Sequence, residues 1–220
     1  CGGGGGRGGR GGGGGGRGGS CAGARGRGGG DTRRGGRSGR RGLGDNKDRM
    51  TPRRGMPEAG GGGGGRVAVV YVSAGRAHTC ATLATGTLWC WGQGLFGQLG
   101  VGGTDERHLP TQVSAPTWEA EEIAVTVVSA GGQHTCAVVS DGSLWCWGFG
   151  WSGQLGLGDT ADRDTPTRLN ASGWGEGVTW APVLSVPAGA HHTCAVVSGG
   201  ALWRWGAGHA GALGVGGGTS

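Results

Sequence analysis

Aromatic side chains are missing from the first 70 residues; Tyr71 is the first. Acids are scarce there too, since residues 1–65 hold only Asp31, Asp45, Asp48 and Glu58. Against them stand 32 glycines, 13 arginines and one lysine. Such a segment has too little apolar surface to offset its chain entropy on ordering, so residues 1–65 read as a disordered Gly/Arg-rich low-complexity tail. Long apolar runs are also absent: no stretch approaches the roughly 18–20 residues of a membrane-spanning helix. The short Cys-x-x-Cys knuckle of many zinc sites does not occur. The first residue is Cys1 rather than Met, so the lack of a leader peptide carries no information, and the sequence reads as a piece of a longer protein.

What the chain does have is repetition. HTCATLATGTLWCWG (His78 to Gly92), HTCAVVSDGSLWCWG (His134 to Gly148) and HTCAVVSGGALWRWG (His192 to Gly206) are versions of one unit. Copies one and two share 10 of 15 residues, copies two and three 12 of 15. Each copy follows an apolar run ending in Gly (VAVVYVSAG, IAVTVVSAG, VLSVPAG) and leads into a glycine-rich tail. Triplication weighs against catalysis, because an enzyme needs one constellation in one cleft. Residues present in every unit are more simply there so that every unit folds.

The unit reads as strands. Ser140-Asp141-Gly142 is a hairpin turn signal, flanked by Val, Thr, Leu and Trp, which favour strands. Centring the turn on Asp141 places Val138 opposite Leu144 and Cys136 opposite Cys146; the first copy places Cys80 opposite Cys90. Directly opposed residues lie within disulfide range. Three readings of these cysteines remain open: a cross-strand disulfide in each of the first two units, which the opposition favours; reduced, buried thiols; or a zinc site using His134, Cys136 and Cys146, which lacks a fourth ligand. In the third unit Arg204 replaces the second cysteine, which leaves Cys194 without a partner. Cys1, Cys21 and Cys194 are then the free thiols.

His78, His134 and His192 could act as general bases, but their recurrence favours histidines that tie strand to neighbouring loop. Trp91, Trp147 and Trp205 could form a ligand platform; packing between neighbouring sheets is the simpler role, since aromatics at fixed offsets mark propeller blades. Gly92-x-Gly94-x-x-Gly97 and its two counterparts match a dinucleotide fingerprint. That fingerprint requires a helix next, and Gln-Leu-Gly-x-Gly follows twice, so these glycines read as turns. No cofactor and no metal is expected.

The order His-Thr-x-Ala, Asp-Gly or its like, Trp-x-Trp-Gly and Gly-Gln-Leu-Gly-x-Gly over about residues 67–220 resembles the regulator of chromosome condensation repeat, in its cysteine-containing HTC…CWG subset. The resemblance implies an all-β chain: a partial β-propeller of about three four-stranded antiparallel blades at approximately 67–122, 123–180 and 181–220. Three blades are fewer than a closed propeller needs, so an open arc exposing apolar faces at its terminal blades is expected.

The resemblance further implies a non-catalytic protein-protein interaction scaffold with an unknown protein partner, its contacts drawn from the variable segments Thr104–Leu109 and Thr160–Asp164. Guanine nucleotide exchange on a small GTPase, the namesake's activity, is the alternative; it needs a complete ring and a protruding loop that has no counterpart here. Light sensing, which a member of the fold performs with Gly-Trp-Arg-His-Thr, is not carried over, because Arg76, Gly132 or Ala190 stands at the tryptophan position. Weak RNA binding by the tail is a further alternative, through the Arg-Gly-Gly arginines Arg7, Arg10, Arg17, Arg27 and Arg34, which can neutralise phosphates although no aromatic is present to stack on bases. The cysteine pairs and the sequon Asn170-Ala171-Ser172 lean towards an extracellular or cell-surface setting; the basic tail leans towards nucleus or cytoplasm.

Overall fold

A computed structural model of the chain describes residues 43–44, 67–115, 118, 123–170 and 181–214. The first sheet contains β1 (Val69–Ala74), β2 (His78–Leu83), β3 (Leu88–Gly92) and β4 (Arg107–Val113), hydrogen-bonded in that order. The second repeats the arrangement with β5 (Val125–Ala130), β6 (His134–Val139), β7 (Leu144–Gly148) and β8 (Arg163–Arg168). The third contains β9 (Val183–Ser185), β10 (His192–Val197) and β11 (Leu202–Gly206). Neighbouring strands pair antiparallel in all three. The chain is all-β, with antiparallel blades side by side.

The turn chemistry sets the register. Asp141 Oδ1 accepts a hydrogen bond from the Ser143 amide at 2.7 Å, and Gly142 takes the positive φ of 81° that closes the β6–β7 hairpin. Val138 then faces Leu144 and Cys136 faces Cys146, while Cys80 faces Cys90 in the first blade. A slip of one residue would turn every core side chain to the other face.

The third blade departs from the expected four strands, with three among the described residues. Its first strand, β9, is only 3 residues long. Pro182 and Pro187 bracket it, and neither ring nitrogen can donate to a ladder.

Apolar side chains fill the spaces between blades. Leu88, Leu99, Val113, Val128, Ala137 and Trp147 belong to the cluster between the first and second blades. Val138, Leu144, Leu155, Val183, Val186 and Ala195 belong to the one between the second and third. Coverage by a neighbour decides exposure. Val128 of β5 is 0 % exposed, whereas its counterpart Val72 of β1 is 55 % exposed. Burying a valine contributes about 1.5–2 kcal/mol, so the bare side of β1 is the apolar end face expected of an open arc. At the outer edge, β4 and β8 carry arginines and a proline each (RHLPTQV, RDTPTR), which discourages a further strand from pairing there.

Candidate interaction surface

The recurring histidines and tryptophans build the joints between blades. His78 Nε2 lies 2.9 Å from Thr135 Oγ1 of the next blade. Thr135 Oγ1 donates to the backbone carbonyl of Gln98 at 2.8 Å, and Trp147 Nε1 donates to the same oxygen at 3.1 Å. The hydroxyl has one proton and gives it to Gln98, so His78 Nε2 carries the proton of the His–Thr bond. The second joint repeats the first: His134 Nε2 meets Thr193 Oγ1 at 2.9 Å, while Thr193 Oγ1 and Trp205 Nε1 donate to the Gln154 carbonyl at 2.8 and 2.9 Å. Ser73 and Ser129 hydroxyls add matching bonds from the Ala130 and Ala188 amides, each at 2.9 Å. Trp91 is buried in the first blade, and His192, in the third, is half-buried.

Both joint histidines are neutral. Burial pushes His78 down to about 4. It pushes His134 down to about 3, with charge repulsion from His78, His191 and His192 as lesser causes. Their Nδ1 atoms are enclosed and make no hydrogen bond, and for His78 a backbone contact with His134 offsets only part of the burial effect. Each ring commits its Nε2 to a threonine of the next blade.

Cys80–Cys90 and Cys136–Cys146 are disulfides, each spanning 10 positions, and Cys194 is free. Neither sulfur of the Cys136–Cys146 bridge remains a thiolate and His134 Nε2 is bonded to Thr193, so the zinc alternative fails on its ligands. Cys194 stands opposite Arg204, as the sequence places it. Arg7, Arg10, Arg17, Arg27 and Arg34, the arginines considered for nucleic acid, lie outside the described residues, as do Cys1, Cys21, Ala171 and Ser172. Asn170 is exposed.

The same joints build an exposed ridge on one rim. The β3–β4 and β7–β8 connections leave the same ends of equivalent strands. Gly97 and Gly153 amides close back on Gly94 and Gly150 carbonyls at 2.7 Å each, and Gln98 and Gln154 Oε1 accept from the Phe96 and Ser152 amides at 2.9 Å each. Leu99 and Leu155 anchor the loops in the core. Held this way, Phe96 of the first blade packs edge-on against Phe149 of the second, centroids 4.8 Å apart. Leu95, next to Phe96 in the chain, and Trp151, two residues after Phe149, are 62 % and 76 % exposed. Asp162 Oδ1 accepts from the Gly150 amide at 2.8 Å, and Gly94 abuts the Thr104 and Asp105 backbone. The segments Thr104–Leu109 and Thr160–Asp164 thus border the ridge. They and Asp159 supply five carboxylates (Asp105, Glu106, Asp159, Asp162, Asp164) against two guanidiniums (Arg107, Arg163). Asp159 is held below the usual carboxylate range by the Ala161 amide and then by Arg163. The sequence reading found these borders and missed the ridge.

Residues 85–138 and 141–196 match the regulator of chromosome condensation (RCC1) repeat, and a second description of that repeat matches 69–98 and 125–154. Over 178 residues, 81 % of this chain and 37 % of the relative, the sequence is 36 % identical to the ultraviolet-B receptor UVR8 of Arabidopsis thaliana. Over 147 residues, 66 % of this chain and 13 % of the relative, it is 33 % identical to the probable E3 ubiquitin-protein ligase HERC3 of Homo sapiens. Among solved structures, yeast RCC1 (Prp20), crystallised bound to Kap60, superposes with a TM-score of 0.56 at 26 % identity, covering 67 % of this chain and 34 % of that one. The chain therefore spans well under half the length of these relatives.

Proposed function

Because this chain belongs to the regulator of chromosome condensation (RCC1) repeat family, we propose that it works as a non-catalytic scaffold that binds another protein through the rim carrying Leu95, Phe96, Phe149 and Trp151. The observation that carries this reading is Trp151, 76 % exposed on the loop that follows Phe149, whose ring packs against Phe96 across two blades. Large aromatics on a rigid support lose little entropy on binding, and such residues dominate the energetics of interfaces. The carboxylate border gives the polar rim that surrounds such a centre. Yeast RCC1 (Prp20) was solved with Kap60 bound, which supports a protein partner for a propeller of this family.

The test is affinity capture from cell extract with the full chain, compared with its Trp151→Ala variant. Truncating an interface anchor worth about 2 kcal/mol or more weakens binding about thirtyfold. A partner bound by the parent chain and lost from the variant supports the reading; identical capture by both refutes it. The variant removes a solvated side chain, so its fold serves as a valid background.

A further inference from the structure

We propose that a cavity between the first and second blades, on the rim opposite the ridge, binds a neutral small molecule: an apolar body carrying a carbonyl-type oxygen that accepts from Trp118 Nε1. The site stands apart from the scaffold reading. β3 runs from Leu88, in the cavity wall, to Gly92, where the ridge loop leaves.

The first support is the space and its lining. The cavity holds about 290 Å³, roughly twice the 150 Å³ that encloses one benzene and at the small end of ligand pockets. Leu88, Val113 and Trp118, each more than nine-tenths buried, form apolar wall. Thr85, Thr87 and Gln112 add uncharged polar groups, and no charged side chain lines it. A neutral molecule of roughly ten non-hydrogen atoms suits such a space. An ion would lose its water there and gain no opposite charge.

The second support is a donor with nothing to bond. The Trp118 amide donates to the Ala115 carbonyl at 2.8 Å, and the Ile123 amide to the Trp118 carbonyl at 2.9 Å. The ring packs edge-on against Trp145 and Trp147, with centroids 5.5 and 6.3 Å away. The indole N–H groups of Trp89, Trp145, Trp147 and Trp205 all donate. Trp118 Nε1 is buried and makes no hydrogen bond. A buried N–H left in this way is destabilising, so an acceptor brought to it is favoured. Nε1 is enclosed, and the ligand oxygen reaches it as the indole tilts towards the cavity.

The third support is the contrast between joints. Asp141 stands where the first blade has Thr85, and Arg168 where it has Gln112. Those two are ion-paired at 3.6 Å. Pro182 abuts the turn glycine Gly142, where Ala124 abuts Gly86. A neutral lining that one joint has and the other does not is not required for blades to pack.

The test titrates the isotope-labelled full chain with acetophenone, whose only polar atom is an accepting oxygen, and follows indole N–H and methyl resonances by NMR. Trp118→Phe identifies the Trp118 resonance by its loss. That resonance is expected to move downfield and saturate with a midpoint on the order of 1 mM, the range of a nine-atom ligand. Nuclear Overhauser contacts should join the ligand ring to Leu88 and Val113 methyls. Benzoate, equal in size but charged, should bind at least about tenfold more weakly. Trp118→Phe, read through the same methyls, should weaken acetophenone about fivefold, the loss of one hydrogen bond. No saturation by about 10 mM, ten times the expected midpoint, would overturn the proposal. So would contacts to other residues, equal binding of benzoate, or undiminished affinity in a folded Trp118→Phe. The shift, the contacts and the benzoate comparison need only the parent chain, so they decide the matter even if that variant does not fold. None of these results bears on capture of a protein by the opposite rim, which Trp151→Ala tests separately.

Discussion

Thr135→Val isolates one blade joint at nearly constant volume. The hydroxyl it removes accepts from His78 Nε2 at 2.9 Å and donates to the Gln98 carbonyl at 2.8 Å. The two losses are unequal. The Gln98 oxygen keeps Trp147 Nε1 at 3.1 Å, so that side costs about 0.5–1 kcal/mol. The imidazole N–H is stranded in a site that is 0 % exposed, and an orphaned buried donor costs about 1–3 kcal/mol. Together the substitution should destabilise the chain by about 2–4 kcal/mol. With a urea dependence of about 2 kcal/mol/M for a folded part of this size, the midpoint should drop by about 1–2 M. Urea titration followed by tryptophan fluorescence and by far-ultraviolet circular dichroism measures it, the first probe reporting the joints and the second the strands. Thr135→Ser retains the oxygen and should lose less than about 1 kcal/mol. A midpoint shift for Thr135→Val below about 0.3 M, or equal losses for Val and Ser, would refute the argument that the hydroxyl relay holds the blades.

Three further outcomes are expected. Gly100→Ala places a methyl carbon 2.6 Å from Trp147 Nε1 at a φ of +70°; backbone strain of about 1–2 kcal/mol plus displacement of the indole should cost about 3 kcal/mol or more in the same titration. Stability should fall on acidification. His78 and His134 take up protons near pH 6.5 when unfolded and only near about 4 and about 3 when folded, so the unfolded chain binds more protons below pH 6.5. Each histidine should then remove about 2 kcal/mol between pH 8 and pH 5, the loss levelling off below pH 4 for His78 and pH 3 for His134. A flat stability profile over pH 5–8 would contradict neutral, buried rings. Reducing either disulfide, whose cysteines are 10 positions apart, should cost about 2.5–3 kcal/mol through loop-closure entropy, read as a lower melting temperature in dithiothreitol.

Hairpins were legible because their signals are local. Asp141-Gly142 fixes a turn, the turn fixes a register, and the register brings Cys136 to Cys146. The acceptor at each joint was not legible: it is a backbone carbonyl, at Gln98 and Gln154, and a carbonyl leaves no mark on residue identity. Their side chains left one, the repeated Gln-Leu-Gly, whose Oε1 atoms brace the rim loops. The ridge was invisible for a different reason. Phe96 and Phe149 sit at non-equivalent positions of two units and meet only across a joint, so comparing units in register separates the partners that packing unites. The short β9 was written in Pro182 and Pro187, which are absent from the corresponding runs of the other units.

Both covalent bridges run between neighbouring strands of a single blade, Cys80 to Cys90 and Cys136 to Cys146. Tension applied along the chain would meet weldments within those sheets and only hydrogen bonds and apolar filling between sheets. Stretching should therefore part the arc at its seams first, releasing whole blades like links before any bridged hairpin unravels, and the third blade, which has no weld, should be the first link to come undone.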